Sequence, residues 1–258
     1  MRSRPDTRLF VFILTFVLFT AGCTTFYNPA TGRTEAVLIN TGSEVSLGRN
    51  MDAEVTRQTQ LSSDPVLQNR LNTIGCRLVK VSDRKDLTYQ FKVVRSKDSK
   101  DVNAFSIPGG YIYIYDELMR QTTDDELAGV VAHEMGHIVA RHAVKQLQTS
   151  LGYEVLMSIA LGPSSSALLT QATNVVFNLV NLGYSRGDEY QADDIAVRYT
   201  CEAGFNPDGL ITFFQKLQKQ AQGGVQIPFL STHPAYKDRI QRVRDEIKSQ
   251  CHGQKQTP

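Results

Sequence analysis

Residues 123–142, TDDELAGVVAHEMGHIVARH, restrict this chain more than any other stretch. Thr123 with Glu126 three residues later is a capping box, and Asp124 and Asp125 put negative charge where a helix begins, so a helix is predicted to start here. Leu127, Val130, Val131, Ile138 and Val139 recur at three- and four-residue steps, the pattern of a helix with at least one buried side. On such a helix His133 and His137 stand one turn apart on the same face, and their imidazoles can share one metal ion. Glu134 sits beside them, placed to take a proton from a water on that ion. The plainer alternative is a solvated helix that carries two histidines by chance, which with five His in 258 residues should arise in roughly a few chains per thousand. Gly129 and Gly136 also lie inside this helix. Each glycine costs on the order of 1 kcal/mol relative to alanine inside a helix, and a close approach of another element would account for both.

Two histidines make an incomplete catalytic zinc site, which takes three protein ligands and keeps a position for water. The short-range solution HEXXHXXGXXH is excluded, because Ala140 and Ala143 stand where it needs glycine and histidine. His142 follows His137 by five residues, which on a continuing helix puts it on the wrong side. The remaining ligand must come from elsewhere in the chain. Glu189 is the best candidate, because Asp193 follows it by one helical turn and the two form an EXXXD pair on one face. Glu189 can give the metal an oxygen while Asp193 accepts the free ring N–H of a ligand histidine. Asp188 and Asp194 crowd the same stretch, and Glu154 is a further acid to weigh against it.

The N-terminus is different in kind. Arg2, Arg4 and Arg8 precede LFVFILTFVLFTA, an apolar run too short for a comfortable membrane span, followed by Gly22 and Cys23. Small residues directly before a cysteine resemble a bacterial lipoprotein signal, with Thr20 where that signal usually has leucine. The resemblance implies a lipid on Cys23, and Thr24 in place of an aspartate implies the outer membrane. A periplasmic, lipid-anchored protein is the expectation. Of the other cysteines, Cys76, Cys201 and Cys251, two can pair in an oxidising compartment and one is left over.

A net charge of +2 with scattered basic residues offers no footprint for nucleic acid. The composition, 41% hydrophobic and 21% charged, is that of a globular protein and predicts one main domain. The Pro, Gly and Thr content after Cys23 makes residues 24–42 read as a tether, with the domain over 43–252 and a tail over 253–258.

Within the domain, helices are predicted over 43–61 and, capped by Asp64 with Pro65 in its first turn, over 65–81. Tyr89, Phe91 and Val93 alternate with polar residues, VNAFSI at 102–107 is a short strand, and YIYIY at 111–115 is a strand set off by Pro108, Gly109 and Gly110. The apolar runs 151–161 and 167–182 read as packed helices rather than a transmembrane hairpin. A helix follows that Gly204 ends, then one opened by Asn206 and Pro207, and a last amphipathic helix from Pro234 to about Ser249.

HEMGH, the later SRGDEYQAD, NAFSIPGG upstream and STHP downstream, in this order, together resemble metallopeptidase family 48, the HtpX-like and CAAX-prenyl-protease-like zinc peptidases, and its periplasmic lipoprotein members. The resemblance covers about residues 43–249. It implies one zinc ion (Zn2+) per chain on His133, His137 and Glu189, with Glu134 as the base. It also implies an α+β, mainly α, gluzincin-type fold with a small sheet packed on the HEXXH helix. Asn103, Ala104 and Phe105 would lie on an edge strand that an extended polypeptide substrate can join through main-chain hydrogen bonds. His233, biased toward an extended conformation by Pro234, reads as a donor to the reacting oxygen, as an occupant of the open metal position in a latent state, or equally as a helix-capping or exposed histidine. The expected activity is that of a cell-envelope endopeptidase acting on unfolded or misassembled proteins. The alternative is a zinc-stabilised, chaperone-like binding module built on the apolar helices after Gly152. The sequence leaves the oligomeric state open.

Overall fold

The computed structural model describes residues 24–99, 101–161, 183–234 and 238–251, with the single positions 167, 170, 171 and 174. The leader with Cys23, nearly all of the apolar stretch 167–182 and the tail 253–258 lie outside the described residues. Strand β1 (Thr24–Asn28) pairs antiparallel with β2 (Arg33–Val37). This corrects the expected tether. Val37, Ile39 and Asn28 are buried, and Asn28 donates to Gln191 across the fold. The Pro, Gly and Thr residues that resemble a linker include the turn of a hairpin, with Gly32 at φ +64°. Linkers and hairpins use the same turn chemistry, and only long-range packing separates them.

Helix α1 (Thr41–Gln58) is capped by the Asn40 side chain, and α2 (Pro65–Val81) by Asp64 with Pro65 in its first turn. The three-stranded sheet follows: β3 (Gln90–Val94) runs parallel to the central β5 (Tyr111–Tyr115), and β4 (Ala104–Ile107) runs antiparallel to it on the other side. Side chains alternate across a strand, and the alternation divides the core in two. Val93, Ala104, Ile112 and Ile114 join the main core. Val94, Phe105, Ile107, Tyr111 and Tyr113 face a second cluster with Leu47 and Met51 of α1.

Helix α3 (Asp116–Gln121) leads into α4 (Asp124–Val139), the HEMGH helix, whose capping box is formed as its spacing predicts. The helix stops short of the 123–142 stretch. Arg141 takes the left-handed conformation at φ 55°, and α5 (His142–Leu151) starts afresh. The Arg141 guanidinium bonds to Ile39 O and Thr41 Oγ1 and pairs with the buried Glu44 carboxylate, which offsets a backbone cost of order 1–3 kcal/mol. Helix α6 (Tyr153–Leu161) buries Leu156 and Ile159 in the second cluster.

Helix α7 (Arg186–Glu202) begins with a Ser185–Asp188 capping box, and α8 (Asp208–Gln222), the short α9 (Pro228–Thr232) and α10 (Arg239–Gln250) complete the layer around α4. The last helix starts at Arg239 rather than at the expected Pro234. The disulfide Cys201–Cys251 ties the end of α7 to the end of α10, and among the described residues Cys76 is free and exposed. Both helix-interior glycines of α4 lie at close approaches: Gly136 faces the backbone of Ala192 in α7, and Gly129 faces Leu210 in α8. Among the described residues no helix is long and apolar enough to cross a membrane.

Candidate metal centre

Helix α4 contributes His133 and His137, whose Nε2 atoms turn to one point and stand 3.1 Å apart. Helix α7 crosses α4 at the Gly136–Ala192 contact and brings the Glu189 carboxylate to 3.5 Å from each of those nitrogens. His233, in the loop after α9, places Nδ1 3.2 Å from His133 Nε2 and 3.0 Å from Glu189 Oε1. The ligand atoms of His133, His137, Glu189 and His233 all lie within 4.8 Å of one another, and all four residues are buried. Donors at Zn–N distances of 2.0–2.1 Å in a tetrahedron are about 3.3 Å apart, so the separations fit one small cation.

The groups behind these donors are equally specific. Asp193, one turn after Glu189, lies 2.9 Å from His133 Nδ1. Arg239, almost fully buried at the start of α10, pairs with Glu189 at 2.6 Å and with both oxygens of Asp193 at 2.7 and 2.8 Å. Glu189 Oε2 thus faces the Arg239 guanidinium on one side and His133 Nε2, 3.5 Å away, on the other. Glu134 receives the Ser106 hydroxyl at Oε2, 2.9 Å away, and faces His233 Nε2 at 3.2 Å through Oε1. His142 lies behind His137, Nδ1 to Nδ1 at 2.9 Å, because the chain turns at Arg141 instead of continuing as helix. Tyr184 stacks on the His137 ring with centroids 3.9 Å apart.

Three buried carboxylates, Glu134, Glu189 and Asp193, face one buried guanidinium, Arg239. Counted with neutral histidines this leaves two negative charges, the number a divalent cation offsets; without an ion, part of that charge is met by His233, whose imidazole the carboxylates hold protonated. The titration behaviour shows the same demand for positive charge. Burial alone would raise Glu189, but His233 and Arg239 hold its carboxyl well below the usual range. Glu134 is likewise raised by burial, yet His233 and the other two histidines bring it to about 2. Burial would lower His233, but the carboxylates of Glu189 and Glu134 push it up to about 10. Burial, helped by His137, takes His142 down to about 3, so it is neutral.

The structure therefore gathers His133, His137, Glu189, Asp193, Glu134 and His233 in one centre. Asn103, Ala104 and Phe105 are at the head of β4, an edge strand that pairs with β5 alone among the described residues. Phe105 turns away and stacks on Tyr113 in the second cluster, so its ring does not face the centre. Asn103 and Thr232, the residue before His233, instead line a cavity of about 480 Å³ shared with Asp98, Asp101, Tyr115 and Ser231. Glu154 is outside the metal-ligand group. Sequence inspection missed Ser106, Tyr184 and Arg239. Counting alternate faces from Ala104 would have turned Ser106 toward α4, but Arg239 and Tyr184 carry no local signal.

The family model described as Peptidase family M48 matches residues 65–247. The chain belongs to peptidase family M48. Its relatives include Metalloprotease LoiP of Escherichia coli strain K12, 38% identical over 152 residues, 58% of this chain and 60% of that protein. The Beta-barrel assembly-enhancing protease of the same organism is 26% identical over 230 residues, 84% of this chain and 46% of that protein. Metalloprotease YcaL, also from that strain, is 25% identical over 251 residues, 95% of this chain and 98% of that protein. The matched region thus spans 60% and 46% of the first two relatives and nearly the whole of the third.

Proposed function

We propose that this chain is a zinc-dependent metalloendopeptidase of the cell envelope that cuts unfolded or misassembled proteins. The observation that carries the proposal is the convergence of His133 Nε2, His137 Nε2 and the Glu189 carboxylate beside Glu134, inside a buried excess of two negative charges. His133, His137 and Glu189 hold the ion. When bound, zinc supplies Lewis acidity, which polarises a peptide carbonyl and makes water nucleophilic at neutral pH. The Glu134 carboxylate, held by the Ser106 hydroxyl, takes the proton from the attacking water and passes it to the leaving nitrogen. Asp193 holds the Nδ1 side of His133, and Arg239 fixes Asp193 and Glu189 together.

His233 completes a set of four protein donors, the number found in closed zinc sites, whereas a catalytic site keeps one position open. We assign this arrangement to a latent state from which His233 withdraws when substrate enters. The cavity beside Asn103 and Thr232 is the entry for a substrate side chain, and the main chain of β4 is the strand a polypeptide joins. The envelope location draws on the leader ending at Cys23, with a lipid on that cysteine as membrane anchor. The Cys201–Cys251 disulfide suits an oxidising compartment. The relative named a β-barrel assembly-enhancing protease supports misassembled envelope proteins as the substrate class.

Protein lacking residues 1–23 is expected to carry about one zinc per chain and to hydrolyse casein. Glu134→Gln should keep the metal and lose about 10²- to 10⁴-fold in turnover. Wild-type turnover in that variant would remove Glu134 from the reaction, and a wild type without affinity for zinc would end the proposal.

A further inference from the structure

His137 has two ring nitrogens and only one can serve the metal. Its Nε2 belongs to the cluster of donors, and its Nδ1 lies 2.9 Å from Nδ1 of His142. Two neutral imidazole nitrogens at that distance share one proton, so one ring donates and the other accepts. Were His137 the acceptor, its own proton would sit on Nε2 and remove the lone pair a metal needs. The direction of this one hydrogen bond therefore decides whether the site can bind.

That direction can be traced from a group with no choice. The backbone N–H of Ala30 donates to Asn28 Oδ1 at 3.0 Å, which identifies the oxygen of that amide. Asn28 Nδ2 then gives one hydrogen to the Glu35 carboxylate at 2.7 Å and the other to Gln191 at 3.0 Å, so Gln191 presents its oxygen. The same Gln191 Oε1 is 3.3 Å from His142 Nε2, and the Asp188 carboxylate is 3.4 Å from it. Both are acceptors, so His142 carries its proton on Nε2 and offers Nδ1 as a lone pair. His137 must then keep its proton on Nδ1 and leave Nε2 bare, while Tyr184 packed on its face opposes a ring flip.

We propose that His142, its tautomer set by Gln191 and through it by Asn28 of the N-terminal hairpin, is the positioning residue that holds the metal ligand His137 with Nε2 free. The inference rests on the zinc proposal above and extends it to the hairpin, which becomes part of the wall of the metal centre. The two ligand imidazoles are held by different chemistry: a carboxylate for His133 and a neutral ring for His137.

The test uses the full chain. Zinc affinity is measured by competition with a chromophoric chelator, with thermal melting of the zinc-free protein as a check on folding. His142→Leu removes the acceptor and is expected to weaken zinc binding about 10- to 100-fold. His142→Asn puts a carbonyl oxygen near the place of Nδ1 and is expected to recover most of that loss. Long-range ¹H–¹⁵N spectra of zinc-loaded wild type should show His137 protonated on Nδ1 and His142 on Nε2. A proton on Nδ1 of His142 would overturn the inference, and so would equal losses in the leucine and asparagine variants or wild-type affinity in the leucine variant. Should His142→Leu fail to fold, the tautomers of the wild type decide. A wild type that binds no zinc would overturn the zinc proposal itself, and this inference with it.

Discussion

Gly136 and Ala192 bring the two ligand-bearing helices into backbone contact: a Cβ on Gly136 would fall 2.8 Å from both the Cα and the carbonyl oxygen of Ala192. Gly136 precedes His137, and Ala192 lies between Glu189 and Asp193. The spacing between histidine pair and carboxylate is therefore set by the absence of one methyl group.

Gly136→Ala is accordingly expected to destabilise by about 1–3 kcal/mol through overpacking, despite a helix-propensity gain of about 1 kcal/mol. Because the obstructing atoms are backbone, α7 must shift as a unit and carry Glu189 with it. Urea unfolding and zinc content, measured together, should both fall. A stabilised variant with full zinc would show that the contact is loose.

Arg239→Met leaves Glu189 and Asp193 buried without their guanidinium, a loss of about 3–5 kcal/mol by the behaviour of broken buried pairs. Zinc supplies compensating charge at the same place, so added zinc should recover more stability in the variant than in the wild type. Denaturant melts with and without zinc measure the difference. Equal zinc gains in both proteins would argue against a shared electrostatic centre.

His233→Ala tests the latent arrangement. With His133, His137 and Glu189 left as ligands and one position open, casein hydrolysis should rise and a chelator should extract zinc faster than from the wild type. A fall in kcat at unchanged zinc content would instead make His233 a participant in the reaction.

Asp194, the residue after Asp193 on α7, gives a pH signature. Burial and the Glu246 carboxylate raise its pKa from 3.8 to about 6, against the pull of Arg242. The folded chain thus holds this proton to about pH 6, while the unfolded chain releases it near 4. Stability is lost as pH rises through that window and stays lost above it. Asp194→Asn should match the wild type below about pH 4 and exceed it at neutral pH, as read from melts across that range. Parallel curves for the two proteins would refute the assignment.

Much of this protein is legible in short-range pattern. The caps at Asp64 and at Thr123 with Glu126, the YIYIY strand and the HEMGH and EXXXD pairs are local arrangements whose geometry follows from 3.6- and 2-residue periods. Local pattern misled where the outcome depended on a distant partner. Residues 24–37 have the composition of a linker and form a hairpin, because Asn28 bonds to Gln191 and the backbone of Leu38 to Gln148, each more than a hundred residues away. His142 looks excluded from the centre on a continuous helix. The break at Arg141, stabilised by Glu44 and Thr41, reverses that.

The amino-acid order by itself determined the donor chemistry: two imidazoles one turn apart, a carboxylate pair one turn apart, and glycines where helices must touch. Those follow from the pitch of a helix and from side-chain size, which need no knowledge of the rest of the chain. Only the tertiary structure decided that α7 lies across α4, that Arg239 neutralises part of the charge, that His233 closes the set, and that the first hairpin reaches the ligand His137 through Gln191 and His142. Each of these joins residues far apart in sequence, and their meeting is fixed by the packing of the whole core rather than by any local preference.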